Sequence, residues 1–138
     1  MANQYIELKE RHQAEVDAFP MAFAFNKEQL GEALEKLGAE STDECVSVYG
    51  GGIVKKTDVA RLKNMFSRQA EEKKIAIDND ATGEGYIKDM FEYELANHEY
   101  SYTMDASDTL NVLGLTVEEI SKSQPLMKGF RLAGGSYL

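Results

Sequence analysis

The sequence predicts an α+β fold, a mostly helical single domain over residues 1–138 that contains a small three-stranded antiparallel sheet. The length of 138 residues is that of one ordinary domain, and 43% hydrophobic residues are enough to form a core. Over most of the chain, apolar residues recur at spacings of three and four, which is typical of amphipathic helices. Short apolar runs beside a glycine triplet interrupt this pattern and indicate strands.

Helices are predicted wherever an apolar stripe is bounded by a capping or a terminating residue. Pro20 ends the first helix, Asn26 and Gly38 bound the second, and Thr57 caps a long third helix. Gln29 lies three residues after Asn26, which indicates a capping box. The predicted helical segments are 4–19, 27–37, 58–77, 85–97, 107–113, a helix that starts after 116 and a last turn or two after 125.

Three segments are predicted to form the sheet. Residues 21–25, "MAFAF", are short, apolar and aromatic, as in a buried strand. Residues 45–49 and 52–56 are joined by glycines, so they are predicted to pair as a hairpin. Glycine-rich loops can also bind phosphate, but "GGG" at 50–52 matches neither GxxxxGK[ST] nor GxGxxG. A strand is expected after it, which favours a hairpin turn.

No part of the sequence indicates a membrane or a secreted protein. No apolar run approaches the roughly 18 residues that a spanning helix needs. Residues 1–13 lack the basic start and the apolar middle of a signal peptide, so a cytoplasmic location is expected. The single cysteine, Cys45, cannot form an internal disulfide and is expected to be a small buried residue of a strand.

Charge is unevenly distributed along the chain, whose net charge is −9. Residues 55–77 carry seven bases and three acids, whereas residues 78–108 carry nine acids and one base. An acidic chain repels phosphate, so direct binding to nucleic acid or to an anionic membrane is not expected. The acidic segment points instead to a basic protein partner, to a cation, or to solubility alone.

Residues 78–89 resemble a calcium-binding EF-hand loop, in which oxygen ligands recur at every second position around a central glycine. Counted from Asp78, Gly83 falls at position 6, where that glycine allows a sharp turn. Calcium is the one cofactor that the sequence suggests. The ligand positions, including a backbone carbonyl at position 7, correspond to Asp78, Asp80, Thr82, Glu84, Tyr86 and Asp89.

Three features weaken this resemblance. Gly85 replaces the aliphatic residue expected at position 8, Asp89 is shorter than the usual glutamate at position 12, and the sequence contains no second loop. The alternative is a turn between two helices, in which Thr82 caps the second helix and Asp78 and Asp80 lie in solvated positions. We favour the capped turn and keep calcium binding as the second hypothesis.

The sequence gives little support for an enzyme. His98 follows Glu94 by four residues, so the two would face each other on a helix, yet His12 is the only other imidazole. Capping of the helix C-terminus is the simpler role for His98. No serine lies in a GxSxG motif, and no set of nucleophile, base and orienting group is visible. We therefore predict a non-enzymatic protein without catalytic residues.

The acidic segment also carries tyrosines, and the two residue types together predict a recognition surface. Asp89 and Glu92 are three residues apart and are expected on the outer side of one helix. Such acids can dock on a basic groove as a phosphate backbone does, with tyrosines as anchors. The alternative is a solvated acidic face whose tyrosines are half-buried in the core. The predicted partner-binding residues are Tyr86, Asp89, Glu92, Tyr93, Glu99, Asp105 and Asp108.

Three stretches, "FAFNKEQL", "TGEGYIKDMFEYELANHEYSYT" and "LGLTVEE", together resemble a family of small acidic proteins of unassigned function in Firmicutes, often associated with mobile elements. The resemblance covers most of the chain and brings no known activity or catalytic residue. It implies a context in which small acidic proteins often inhibit a host defence protein. Several anti-CRISPR proteins are similar in size and acidity and block a nucleic-acid groove. The resemblance thus suggests an inhibitor of a basic nucleic-acid-binding host protein.

Overall fold

The computed structural model describes residues 2–48 and 50–136, and it confirms the predicted α+β class, mostly helical with a small antiparallel sheet. One-turn 3-10 helices at Thr42–Glu44 and Lys56–Asp58 were not predicted. The strands are β1 (Ala22–Phe23), β2 (Cys45–Val48) and β3 (Gly52–Lys55). The helices are α1 (Gln4–Ala18), α2 (Lys27–Leu37), α3 (Val59–Asn79), α4 (Tyr86–Asn97), α5 (Tyr100–Thr103), α6 (Ser107–Leu113), α7 (Val117–Lys122) and α8 (Gln124–Leu132).

The residues group into two compact units. The first unit combines Met1–Gln13 with Glu71–Leu138, and the second is Ala14–Ala70. Helices α1 and α3 each contribute residues to both units. The assignment of residues 1–138 to one domain stays a prediction. Among the described residues, no helix is both long enough and apolar enough to cross a membrane.

The second unit contains the sheet, whose strand order is β1-β3-β2 with both pairings antiparallel. The register places Ala22 opposite Ile53, and these two residues form a small core with Ala33 of α2. The predicted hairpin of β2 and β3 is confirmed, although the strands are shorter than predicted. Tyr49, which the sequence assigns to the end of β2, lies outside the described residues.

The caps of α2 agree with the sequence, with one exception. Asn26 Oδ1 accepts a hydrogen bond from the backbone N–H of Gln29 at 2.8 Å, and Gly38 ends the helix with a left-handed φ of 70°. The Gln29 side chain accepts from the N–H of Phe25 rather than from Asn26, so only half of the predicted capping box forms. Both bonds still fix the entry of the chain into α2.

The start of α3 differs from the prediction. Thr57 lies inside the 3-10 turn Lys56–Asp58, and α3 begins only at Val59, so Thr57 is not its cap. Asp58 instead forms an ion pair with Arg61 at 3.0 Å. The helix continues to Asn79, two residues beyond the predicted end. The tighter turn explains the difference, because a 3-10 turn at a helix N-terminus delays the first α-helical hydrogen bond.

The first unit has the larger core, and α4 lies at its centre. The spacing of Ile87, Met90, Phe91 and Leu95 predicts one inward face of α4, and all four are buried. The Phe91 ring packs edge-on against Phe130 of α8 with centroids 5.3 Å apart. Thr116 begins α7 with a capping box, and Ser123 caps α8 by accepting from Leu126 at 3.2 Å. The buried residues of α4 are Tyr86, Ile87, Met90, Phe91, Glu94 and Leu95.

Candidate functional site

Asp80, at the centre of the predicted calcium loop, caps α4 with its carboxylate. Its Oδ1 accepts a hydrogen bond from the backbone N–H of Gly83 at 3.0 Å. Its Oδ2 accepts from the N–H groups of Gly85 at 3.1 Å and Ile87 at 2.9 Å. Backbone N–H groups at a helix start have no intrahelical acceptor, so the carboxylate stabilises both the turn and the helix. The prediction that Asp80 lies in a solvated turn position is therefore wrong.

Thr82 and Gly83 shape the rest of this loop. The Thr82 hydroxyl accepts from the N–H of Glu84 at 3.2 Å, so the prediction that Thr82 caps α4 is wrong: Asp80 has that role. Gly83 has a φ of 84°, in the region that favours glycine. A Cβ at this position would overlap the carbonyl oxygen of Pro125 at the start of α8. The loop is thus packed closely against α8.

Asp89 caps a different helix. Its Oδ2 accepts from the backbone N–H of Gln4, the first residue of α1, at 2.8 Å, and its carbonyl oxygen accepts from Asn3 Nδ2 at 3.2 Å. Asn3 Oδ1 accepts from the N–H of Ile6 at 2.9 Å, which completes the cap. Asp89 is half-buried, whereas the sequence predicts it on the outer side of α4. Its predicted role in partner binding stays a prediction, but its carboxylate is engaged within the fold.

Two other acids of the segment form ion pairs. Glu84 pairs with Lys128 at 3.1 Å, and Glu92 pairs with Lys88 one helical turn away at 2.9 Å. All four side chains are substantially exposed, so solvent screens both pairs and each contributes little to stability. Glu92 does lie on the exposed side of α4, as predicted.

Glu94 is the one buried acid of the segment, with 1% of its surface exposed. Its Oε2 accepts a hydrogen bond from the Tyr5 hydroxyl at 3.1 Å. Burial, and secondly the charge of Glu94, raise the pKa of the Tyr5 hydroxyl, which keeps that hydroxyl a proton donor. Glu94 thus belongs to the core of the first unit rather than to the predicted acidic surface.

The residues predicted to bind calcium have separate roles in the structure. Among the described residues, no three carboxylates of this loop have oxygens within 4.8 Å of one another. Calcium requires six to eight oxygens at about 2.3–2.6 Å, so the loop would have to give up its capping hydrogen bonds to bind it. Asp78 is exposed on the last turn of α3. The calcium site of Asp78, Asp80, Thr82, Glu84 and Asp89 stays a prediction.

A second group of acids is exposed where α5 leads into α6. Glu99, Asp105 and Asp108 are exposed, and no described lysine or arginine forms an ion pair with them. Between them, the side chain of Tyr102 is 87% exposed and that of Met104 is 43% exposed. We call these five residues the acidic corner. It combines negative charge with two large side chains that protein interfaces favour.

Within the acidic corner, Asp105 is fixed by the next helix. Its Oδ1 accepts from the Ser107 hydroxyl at 2.6 Å and from the Ser107 N–H at 2.9 Å. These two bonds hold the pKa of Asp105 below its usual value, because they favour the charged carboxylate. Asp105 therefore contributes a full negative charge to the acidic corner at neutral pH.

Two left-handed residues position the acidic corner. Glu99 and Met104 flank α5 with φ values of 55° and 57°, a conformation that costs a residue other than glycine about 1 kcal/mol. The turn between them buries Tyr100, whose hydroxyl accepts from the N–H of Ser136 at 2.9 Å, and exposes Tyr102. The sequence did not predict α5, because neither flanking residue is a glycine that would signal a turn.

The two tyrosines predicted as partner-binding residues lie elsewhere. Tyr86 is 6% exposed and packs edge-on against Tyr5 with centroids 5.8 Å apart, so it is a core residue and not an exposed anchor. Its burial raises its pKa to about 12. Tyr93 is half-buried, 5.7 Å from the Tyr5 ring, with Lys9 Nζ 5.0 Å from its own centroid.

The remaining candidate motifs have structural roles. His98 Nδ1 lies 2.8 Å from the carbonyl oxygen of Glu94, which confirms that His98 caps the C-terminus of α4. Glycines 50–52 lie in the hairpin turn and the start of β3, as predicted. Cys45 is half-buried rather than buried.

A groove of about 460 Å³ lies beside the acidic corner. It was not predicted, because it is formed by segments far apart in sequence, namely α4, α5 and the residues after α8. The pattern of α4 did mark Leu95 as an inward residue, but not what covers it. Its lining includes Glu92, Leu95, Ala96, Tyr100, Met104 and Ala133.

The comparisons with known proteins identify a family but no activity. The profile of one family, described as a family of unknown function (DUF7659), matches residues 4–135. No curated protein and no solved structure matches the chain. The predicted relation to small acidic Firmicutes proteins and to mobile elements stays a prediction. Because the match spans nearly the whole sequence, the chain belongs to the DUF7659 family of unknown function.

Proposed function

We propose that this chain is a non-enzymatic interaction protein whose acidic corner binds a basic protein surface. One observation carries the proposal: three acids of the corner are exposed without a described basic partner, and they flank the 87% exposed Tyr102 in sequence. A folded chain with a net charge of −9 attracts basic surfaces over about a Debye length. Tyr102 and Met104 can then be buried in contact with the partner and supply the short-range part of the affinity.

The partner class that we propose is a nucleic-acid-binding protein, which the chain would inhibit. Such proteins carry grooves lined with lysine and arginine that bind phosphates. Carboxylates of an acidic protein can occupy the same groove, since they present negative charge without a nucleic acid. The resemblance to small acidic proteins of mobile elements supports an inhibitor of a host defence protein, in the manner of anti-CRISPR proteins. A cytoplasmic location is part of this proposal.

A pull-down from the native organism tests the proposal. We compare the unaltered chain with the double variant Glu99→Lys/Asp108→Lys, which keeps the bonds of Asp105 to Ser107, and with the control Asp78→Lys, which changes an exposed acid outside the acidic corner. Asp89→Lys is unsuitable, because Asp89 caps α1 and its loss would also affect folding. We expect a basic partner that the control retains and that the double variant and added salt release. A partner retained equally by all three chains would contradict the proposal.

The inhibitor part has a separate readout. The captured partner is purified, and its binding to a labelled nucleic acid is measured while the unaltered chain is added. We expect the nucleic acid to be displaced by the unaltered chain and by Asp78→Lys, but not by Glu99→Lys/Asp108→Lys. Nucleic-acid binding that persists beside the bound chain would leave an interaction protein that is not an inhibitor of this kind.

The alternative function is a calcium-binding module that uses residues 78–89. It would require Asp80 to exchange three backbone hydrogen bonds for calcium. Calorimetric titration with calcium decides between the interaction protein and the calcium-binding module. Heat at millimolar calcium that Asp78→Asn abolishes would support the module, and no heat together with no change in Tm would exclude it.

A further inference from the structure

The groove beside the acidic corner has an apolar floor and a polar rim. Leu95, 3% exposed, and Tyr100, 4% exposed, form part of its lining together with Met104 and Ala133. Glu92 and Ser101 lie at exposed positions around it. Its volume of about 460 Å³ is within the range of sites that accept one or more side chains.

The electrostatics of the groove favour a cation at its rim. Among the described residues, no lysine or arginine lines it; Glu92 does, although its carboxylate pairs with Lys88. The C-terminal ends of α4 and α8 both reach it, through Leu95 and Ala96 of α4 and through Ala133, which directly follows α8. Helix C-termini carry partial negative charge, which favours a cation at this rim.

A second cleft of the same unit shows that this polarity is local. That cleft, of about 510 Å³, is lined by Lys122, Lys128 and Arg131, with no acid among its described lining residues. Arg131, the base in the last turn of α8, lines the second cleft and is not among the described residues that line the groove. The acidic corner continues the negative charge outward, since Glu99 directly precedes Tyr100 and Asp105 directly follows Met104.

We propose that the groove binds an apolar side chain of the basic partner, a leucine-like residue flanked by lysine or arginine in sequence. This inference rests on the proposed function and names the partner segment that it uses. Charge complementarity selects this occupant, because an apolar side chain fits the floor while its basic neighbours meet Glu99 and Asp105 of the acidic corner. An uncharged apolar segment would fill the same floor without that second contribution.

Two matched peptides test the inference by amide chemical-shift mapping of the ¹⁵N-labelled protein. The first is a short lysine-rich peptide that carries two leucines, and the second has serine in place of both leucines. We expect the leucine peptide to shift the amides of Leu95, Ser101 and Met104 and to bind at least about tenfold more tightly than the serine peptide. Equal binding of the two peptides, with shifts confined to Glu99, Asp105 and Asp108, would overturn the inference that the groove binds an apolar side chain. It would leave the proposed function standing.

Two variants test whether the preference for the leucine peptide arises in the groove. Ala96 lines it at an exposed position, so Ala96→Phe fills the groove without removing a buried group. Asn97→Phe adds the same ring to the next exposed residue, which is not among the lining residues. We expect Ala96→Phe to lose the tenfold preference for leucine and Asn97→Phe to keep it. A preference that survives Ala96→Phe would overturn the inference, and no binding of either peptide by the unaltered chain would do the same.

Discussion

The two halves of the acidic segment differ in what their carboxylates do. In the first half, Asp80 and Asp89 accept backbone hydrogen bonds at the starts of α4 and α1, and Glu94 is buried against Tyr5. In the second half, Glu99 and Asp108 are exposed. Acids that look alike in the sequence therefore have different roles, because a carboxylate that accepts N–H groups stabilises the fold and is less available to a partner.

Among the variants that test this comparison, the largest loss of stability is expected for a change at Gly83, in the first half. Gly83→Ala forces a Cβ into the carbonyl of Pro125 and places it on a backbone with a φ of 84°, so we expect the free energy of unfolding to fall by more than about 3 kcal/mol. Urea denaturation followed by circular dichroism measures it.

Gly31→Ala is the matched control for Gly83→Ala, because Gly31 lies inside α2 and a methyl group added there would meet open space. We expect Gly31→Ala to raise the free energy of unfolding by about 0.5–1 kcal/mol, because alanine favours a helix more than glycine does. Similar stabilities of the two variants would show that the loop is not packed as described.

The second effect concerns the Asp80 cap itself. Asp80→Ala leaves the N–H groups of Gly83, Gly85 and Ile87 without their acceptor, and we expect a loss of about 2–4 kcal/mol in the free energy of unfolding. Asp78→Ala, two residues earlier and exposed, should change it by no more than about 0.5 kcal/mol. Equal values for the two variants would remove the distinction between structural and free acids.

The third test extends the comparison to the tyrosines, since Tyr86 is buried and Tyr102 is exposed. Burial raises the pKa of Tyr86 from 10.0 to about 12, so the folded state disfavours the phenolate. This contribution to stability is fully present below pH 10 and is lost as the pH rises through 12. We expect Tyr86 to account for about 2–3 kcal/mol of the decline in the free energy of unfolding over that window, measured by urea denaturation at each pH.

Two variants assign that alkaline decline. Tyr86→Phe removes the titrating hydroxyl and should reduce the decline, while Tyr5, whose pKa is also raised, continues to contribute in the same direction. Tyr102→Phe should retain the decline of the unaltered chain. An unchanged decline in Tyr86→Phe would show that Tyr86 is not the group responsible.

The smallest effect is expected in the second half, at Glu99. Because Glu99 has a φ of 55°, Glu99→Gly should raise the free energy of unfolding by up to about 1 kcal/mol. Asp108→Gly, in the first turn of α6, should instead lower it by about 0.5–1 kcal/mol. Thermal denaturation of both variants measures the difference, and a destabilised Glu99→Gly would mean that the acid itself stabilises the turn.

Prediction from sequence succeeded at several local signals, although it assigned helix caps wrongly to Thr57 and Thr82. Asn26, Gly38 and Thr116 bound their helices as predicted, because capping depends on residues within one turn. It failed where the partner is distant: nothing near Asp89 in sequence shows that it accepts from Gln4. For the same reason, neither the groove nor the burial of Tyr86 was predicted, since both depend on tertiary packing.

The bond between Gln4 and Asp89 also bears on how the chain folds. It joins residues 85 positions apart, and the bond from Tyr5 to Glu94 spans 89 positions. The first unit therefore requires the closure of a long loop that contains residues 14–70, whereas the second unit is continuous in sequence. On a ribosome, residues 14–70 emerge before Asp89 is synthesised. We therefore expect the second unit to be able to form first and α1 to receive its cap late.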